Sequence, residues 1–143
     1  MNWKRVSAIA LGLCVSIVLV GAGFAADNER EATMKKIGGS VKALTTMGKS
    51  GTFDQAVAQK EGNAIAADFD HFKDLFPEGS EKQDDKALPA IWSDRACFEQ
   101  HRMDAKNAAL AVASATDMDG FQTAMKTLGG ACGACHKQYR AKE

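Results

Sequence analysis

Apolar residues recur every three or four positions in four stretches of this chain, the spacing of one face of an α-helix. In the last stretch the apolar face consists of Phe121, Met125, Leu128, Cys132, Cys135 and Tyr139. Asp117 or Asp119 can cap the start of that helix. Near the other end of the chain the same spacing runs through Met34, Ile37, Val41, Leu44 and Met47. The glycines of segment 48–51 predict the end of this first helix.

Two more helices are predicted between these. The second covers residues 52–76, with an apolar face made of Val57, Ile65, Phe69, Phe72 and Leu75. Pro77 and Pro89 bracket a polar segment, which predicts a loop, and Pro89 suits the first turn of a third helix that reaches about Ala115. Because strand patterns are almost absent, we predict an all-α, antiparallel up-down-up-down four-helix bundle. In this topology the end of the last helix lies at the same pole as the start of the first.

The first 25 residues follow another pattern. Lys4 and Arg5 precede an apolar run over residues 6–20, and the small residues Gly23 and Ala25 follow it. This is the pattern of a secretory signal peptide, and we predict cleavage after Ala25. The alternative is an uncleaved membrane anchor, but an apolar run of about 15 residues is short of the roughly 20 needed to span a bilayer. The mature chain, residues 26–143, is then one domain without a stable membrane anchor.

Composition narrows the function classes. The 143-residue chain carries 18 basic and 18 acidic side chains, so it lacks the basic excess of a nucleic-acid-binding surface. Loss of the leader leaves the mature chain mildly acidic. It also removes Cys14, one of four cysteines, and an odd number of thiols does not suit a pure disulfide framework. Cys132 and Cys135 lie close together in the sequence, which leaves Cys97 as the third thiol. We interpret Cys97 as a small buried hydrophobe, with an intermolecular disulfide as the alternative.

The strongest signal is the run Cys132-Gly133-Ala134-Cys135-His136. In an exported protein this C-x-x-C-H pattern is typical of c-type haem attachment. Thiols three residues apart lie on one helical face and can each add to a haem vinyl group, while the adjacent imidazole reaches the iron. The alternatives are a disulfide, a redox dithiol or half of a zinc site. A zinc site lacks a second cysteine pair, and a thioredoxin-like dithiol lacks its βαβ context.

The run from Gly130 to Arg140 closely resembles the C-terminus of the cytochrome c-prime (c′) family, which includes the low-spin cytochromes c-556. Segments 75–80 and 88–92 agree with the family as well, and so does Arg30 with Met34-Lys35. The resemblance implies one covalent haem c with its iron, thioether links to Cys132 and Cys135, and His136 as the proximal iron ligand. It also implies a periplasmic location, and the family often forms a homodimer through the first two helices.

The other face of the iron decides between two functions. In this family the distal position lies on the first helix, where this chain has Met34. A ligating thioether gives a six-coordinate electron carrier with a redox partner protein. A side chain that only shields the iron gives a five-coordinate cytochrome c′ that binds nitric oxide or carbon monoxide. We favour ligation by Met34, because the Met-Lys pair and segment 75–80 look closer to the c-556 branch, although methionine on an apolar helical face is often core filler.

Further residues are assigned from their context. Arg30 resembles the family arginine near the haem edge, where it can pair with a propionate, and a surface arginine is the alternative. Arg140 matches the family's terminal arginine and is expected to pack over the proximal side. His71 is a rival sixth ligand, but its polar surroundings are more typical of a surface histidine, and His101 is expected to be exposed.

Two expectations remain. Large aromatic side chains are expected in the haem-pocket wall or the bundle core, namely Phe69, Phe72, Phe76 and Trp92. Apart from the haem, no acid, base or nucleophile constellation is evident, so we do not predict an enzyme.

Overall fold

The computed structural model describes residues 22–82 and 86–142, with side chains from residue 29, and it is helical almost throughout. The described elements are α1 (Ala22–Ser50), α2 (Gln55–Phe72), a 3₁₀ turn (Lys73–Leu75), α3 (Ala90–Ser93), α4 (Arg95–Ala113) and α5 (Met118–Tyr139). The four long helices form a bundle, which confirms the predicted fold class. Of the predicted leader, residues 1–21 lie outside the described residues, and residues 22–25 belong to the start of α1.

The C-terminal end of α1 and the start of α5 lie where the sequence predicts them. The last residue of α1 is Ser50, and Gly51 follows with φ 72°, a left-handed conformation that favours glycine. Before α5, the Asp117 carboxylate accepts a hydrogen bond of 2.8 Å from the amide of Gly120. Asp117 is therefore the N-cap of this helix.

The two middle helices differ from their predicted bounds. The second helix begins at Gln55, because Asp54 caps it by accepting from the amides of Ala56 and Val57, and it ends at Phe72 before the 3₁₀ turn. The predicted third helix is broken at Asp94, whose φ of −128° and ψ of 56° are not helical. The apolar spacing continues across this break, so the pattern could not reveal it.

The main core lies along the bundle, where α2 packs closely against α4. Its most buried large side chains include Leu44, Ile65, Val112, Phe121 and Leu128. Gly62 permits the close approach of these helices, because a Cβ atom there would lie 2.7 Å from the carbonyl oxygen of Ala109. Any larger residue at this point would force α2 and α4 apart.

A second apolar cluster fills one pole of the bundle. It consists of Phe72, Leu75, Phe76, Ile91, Phe98 and Tyr139. At this pole the end of the loop pairs with the end of α5: the amide of Leu88 donates to the carbonyl of Tyr139 at 3.0 Å, and the amide of Ala141 donates to Lys86 at 2.9 Å. These bonds bring the α2–α3 connection next to the C-x-x-C-H motif.

Candidate functional site

A cavity of about 960 Å³ opens at this pole. Its volume lies at the upper end of the roughly 300–1,000 Å³ typical of small-molecule and cofactor sites. The cavity is lined by all six residues that the sequence assigns to the haem site, namely Arg30, Met34, Cys132, Cys135, His136 and Arg140. The fold thus brings together residues more than a hundred positions apart in the chain.

The helix α5 supplies the two thiols and the imidazole. Cys132 and Cys135 are half-buried free thiols, and His136 follows at a more exposed position. Burial raises the pKa of Cys132. Burial, together with the neighbouring Cys132, raises the pKa of Cys135 to about 11. Partial burial of its ring and the nearby Arg140 lower the pKa of His136, so the neutral imidazole, the form that binds metals, is favoured.

Met34 faces the cavity from α1. Its side chain is half-buried and packs against both apolar clusters. The cavity wall around it includes the aromatic rings of Phe69, Phe72 and Phe76. These three phenylalanines therefore lie where the sequence places them, at the pocket wall.

The two arginines lie at different depths. Arg30 is only 3% exposed, so it is not a surface arginine, and its guanidinium binds the segment that follows α2. Arg140 is exposed, and its amide donates to the carbonyl of His136 at 3.0 Å. Both arginines line the cavity.

The remaining histidines do not line the cavity. His71 is exposed and lies 3.0 Å from a carboxylate oxygen of Glu29, as expected for a surface histidine. The expectation that His101 is exposed is wrong: it is half-buried, and its ring packs edge-on against Tyr139 with centroids 5.7 Å apart. The end of α5 covers this part of α4.

The expectation for Cys97 also needs correction, whereas that for Trp92 is met by one of its two alternatives. Cys97 is half-buried rather than buried, with the side-chain amide of Gln138 3.9 Å from its sulfur. Trp92 does not line the cavity but packs against the second apolar cluster, the core position that is its alternative. It packs against Phe76 with ring centroids 5.8 Å apart and donates from Nε1 to the carbonyl of Pro77 at 2.9 Å, so it supports the wall from behind.

Sequence reasoning missed several residues of the cavity wall. Phe98 and Tyr139 close the wall with rings in edge-to-face contact, 5.2 Å between centroids. Arg102 lies one turn beyond Phe98 and is buried. Its signal in the sequence is a charged residue on an otherwise apolar helical face, between Phe98 and Ala105. Lys82 and Lys86 of the loop add positive charge to the wall.

The donor set fits a covalently bound haem. The walls are largely apolar and aromatic, and two thiols and an imidazole lie together on one helix. Within the described ranges, no group of three or more histidine, cysteine, aspartate and glutamate side chains is arranged to hold a metal ion. Two thiols and one imidazole suit a prosthetic group that brings most of the iron ligands itself.

The family model for cytochrome c′ matches residues 26–140, almost the whole predicted mature chain. The chain belongs to the cytochrome c′ family. Proteins of this family carry covalently bound haem c with its iron, which confirms the predicted cofactor. The chain is therefore a monohaem cytochrome of the electron-transfer or gas-binding kind.

Relatives within the cytochrome c′ family carry more than one name. A cytochrome c-556 from Agrobacterium fabrum is 38% identical over 148 residues, covering 100% of this chain and 99% of its own length. A cytochrome c′ from Rhodopseudomonas palustris is 36% identical, covering 97% of both chains.

The solved structures agree with the bundle. The structure of cytochrome c′ from Rhodopseudomonas palustris aligns with a TM-score of 0.75 at 35% identity, over 82% of this chain and 97% of that one. In the part of the chain that the structure describes, no helix has the length and apolar character needed to cross a membrane.

Proposed function

We propose that this cytochrome transfers electrons in the periplasm, with haem c linked to Cys132 and Cys135 and with His136 and Met34 as the axial iron ligands. The observation that carries the proposal is that these four side chains, from the opposite ends of the chain, line one cavity. When bound, the haem supplies an iron that alternates between the ferric and ferrous states. The two thioether links keep the group in place through repeated cycles.

The side chains of the site favour an unchanged coordination in both oxidation states. The thioether of Met34 carries no charge, and an imidazole binds a metal through an unprotonated ring nitrogen. Neither group needs to gain or lose a proton when the iron changes its charge. Methionine as the second axial ligand raises the reduction potential relative to stronger donors.

The apolar wall has a second role. The rings of Phe69, Phe72, Phe76 and Phe98 give much of the cavity an apolar surface, which lowers the local dielectric constant when the haem fills it. A low dielectric constant around the iron disfavours the form with the larger net charge, so burial also tunes the potential. Met34, which is itself half-buried among these apolar groups, extends this apolar surface.

The predictions about location and partners belong to the same proposal. Residues 1–25 are removed on export, and a redox partner protein exchanges electrons at the cavity mouth, where Arg140 lies exposed. Pairing of Arg30 with a haem propionate, packing of Arg140 over the proximal side of the haem, and a homodimer through the first two helices stay predictions.

A five-coordinate cytochrome c′ is the second candidate. Proteins of this family bind diatomic gases, and the identity to the cytochrome c′ from Rhodopseudomonas palustris, 36%, is close to the 38% shared with a cytochrome c-556. In that case Met34 shields the distal face without binding, and nitric oxide or carbon monoxide takes the open position.

Covalent attachment is tested by haem staining of the denatured protein. The variant with both Cys132→Ala and Cys135→Ala should lose haem from the chain on a denaturing gel. The matched control is Cys97→Ala, which removes the third thiol outside the cavity and should stain like the unaltered protein. Covalent haem that persists in the double variant would refute the assignment of these two cysteines.

A further inference from the structure

Arg30 is buried and engaged with the segment that follows α2. Its Nε donates to the carbonyl of Leu75 at 2.8 Å, and its Nη2 donates to the hydroxyl of Ser80 at 2.7 Å. Its guanidinium lies over the ring of Phe76, 4.4 Å from the centroid, and 5.5 Å from that of Trp92. A buried guanidinium with this many contacts fixes two parts of the chain to each other.

The segment held by Arg30 is a tight turn. The hydroxyl of Ser80 donates to the carbonyl of Pro77 at 2.7 Å, and Gly79 has φ 85°, which favours glycine. The indole of Trp92 donates to the same carbonyl of Pro77. Residues 75–80 therefore form a compact unit whose contact with α1 goes through Arg30.

The α2–α3 connection is attached to α5 at its other end. The amide of Leu88 donates to the carbonyl of Tyr139, three residues after His136. The connection thus links the two helices that supply Met34 and His136. Arg30 attaches this link to α1.

Arg30 lies one helical turn before Met34, and both residues line the cavity. Since an α-helix is stiff over one turn, a fixed Arg30 also fixes the Met34 backbone relative to the cavity wall. We infer that Arg30 is a positioning residue, which holds Met34 over the distal face of the iron through its bonds to the 75–80 turn. The ligation of Met34 rests on the proposed function, but its position matters equally if it only shields the iron.

The first test measures the rate at which carbon monoxide associates with the ferrous holoprotein. Arg30→Gln removes the hydrogen bonds from a charged donor that fix the 75–80 turn to α1, so association should become about tenfold faster or more. Arg30→Lys keeps the charge but loses the planar, forked guanidinium. Its association rate should therefore lie between that of Arg30→Gln and that of the unaltered protein. The matched control is Lys36→Gln, which removes an exposed positive charge from the same helix outside the cavity wall, and its rate should stay at that of the unaltered protein.

Two further measurements test whether Arg30 acts through Met34 and through the 75–80 turn. In a Met34→Ala background, Arg30→Gln should change the association rate no further, because Arg30 acts through Met34. Amide hydrogen exchange of peptides over residues 75–80 should be faster in Arg30→Gln and unchanged in Lys36→Gln. If Arg30→Gln disturbs folding, Ser80→Ala serves in its place, because it removes one of the two hydrogen-bond acceptors of Arg30. It should raise the carbon monoxide association rate and the hydrogen-exchange rate as well, but by less.

The inference is overturned if the association rate of Arg30→Gln matches that of the unaltered protein, or rises equally with and without Met34. Failure of the proposed ligation has another signature, a high-spin ferrous spectrum in the unaltered protein. In that case Arg30→Gln still accelerates carbon monoxide association by moving the shield. The two failures are therefore distinguishable.

Discussion

Arg102 of α4 donates a hydrogen bond of 3.0 Å from Nη1 to the main-chain carbonyl oxygen of Phe69 in α2. This carbonyl is one of the last four in α2, which have no partner within their own helix. Arg95 binds the carbonyls of Lys73 and Phe76 in the same way, and Arg30 binds that of Leu75. Positive charge near a helix C-terminus is also favourable for the helix dipole. Three arginines thus stabilise the C-terminal end of α2 and the segment directly after it, which supply Phe69, Phe72 and Phe76 to the cavity wall.

Arg102→Ala should lower the free energy of unfolding of the holoprotein by about 2–3 kcal/mol, because it leaves the Phe69 carbonyl and Glu99 without their buried cationic partner. Urea unfolding measures this loss. The control is Lys106→Ala, which breaks a more exposed pair with Asp70 and should cost about 1 kcal/mol or less. Equal losses in the two variants would contradict the role given to Arg102.

Gly62→Ala should destabilise the bundle. The added Cβ would lie 2.7 Å from both the carbonyl oxygen of Ala109 and the amide nitrogen of Ala113, and overpacking of this kind costs about 1–3 kcal/mol. Gly39→Ala is the matched control, because a Cβ there meets nothing within 4 Å. Its helical position should make it neutral or up to about 1 kcal/mol more stable. A Gly62→Ala variant with unchanged stability would show that α2 and α4 are not so closely packed.

Stability should depend on pH through Glu61. Hydrogen bonds from Ser40 of α1 and from Lys60 lower the pKa of Glu61 below its ordinary value of 4.5. The ionised carboxylate therefore stabilises the folded state fully above the unfolded pKa, and this stabilisation is lost as the pH falls through the lower folded value.

The matching variant is Glu61→Gln. Urea unfolding at a series of pH values should show it less stable than the unaltered protein at neutral pH, with the difference shrinking in acid. Ser40→Ala, which raises the pKa of Glu61 by removing the first of these bonds, should shift the midpoint of that change to higher pH. A difference that stays constant over the whole range would rule out the Glu61 contribution.

Much of the site could be predicted from the sequence because two strong patterns determine it. The helical spacing places Cys132, Cys135 and Tyr139 on one face, and the bundle topology brings Met34 to the same pole. The break at Asp94 was not predictable, because the step of seven from Ile91 to Phe98 keeps the helical period across it. The family and the four-helix bundle are confirmed, whereas the ligand roles stay proposals.

The burial of Arg30 and Arg102 was not predictable for another reason. Their acceptors are the main-chain carbonyls of Leu75 and Phe69, 45 and 33 positions away, and main-chain groups leave no trace in a pattern of side chains. A charged residue on an apolar helical face indicates that some buried partner exists, but only the fold identifies it. The partial exposure of Cys97 likewise depends on how the end of α5 lies over α4.

The absorption spectrum of the ferrous holoprotein, with and without Met34→Ala, tests the central proposal most directly. Ligation by the Met34 thioether predicts a low-spin spectrum for the unaltered protein that resists carbon monoxide, and a high-spin spectrum that responds readily to it in the variant. A high-spin spectrum in the unaltered protein that changes readily with carbon monoxide would contradict ligation and establish an open distal face. A low-spin spectrum that persists in Met34→Ala would assign the sixth position to another side chain.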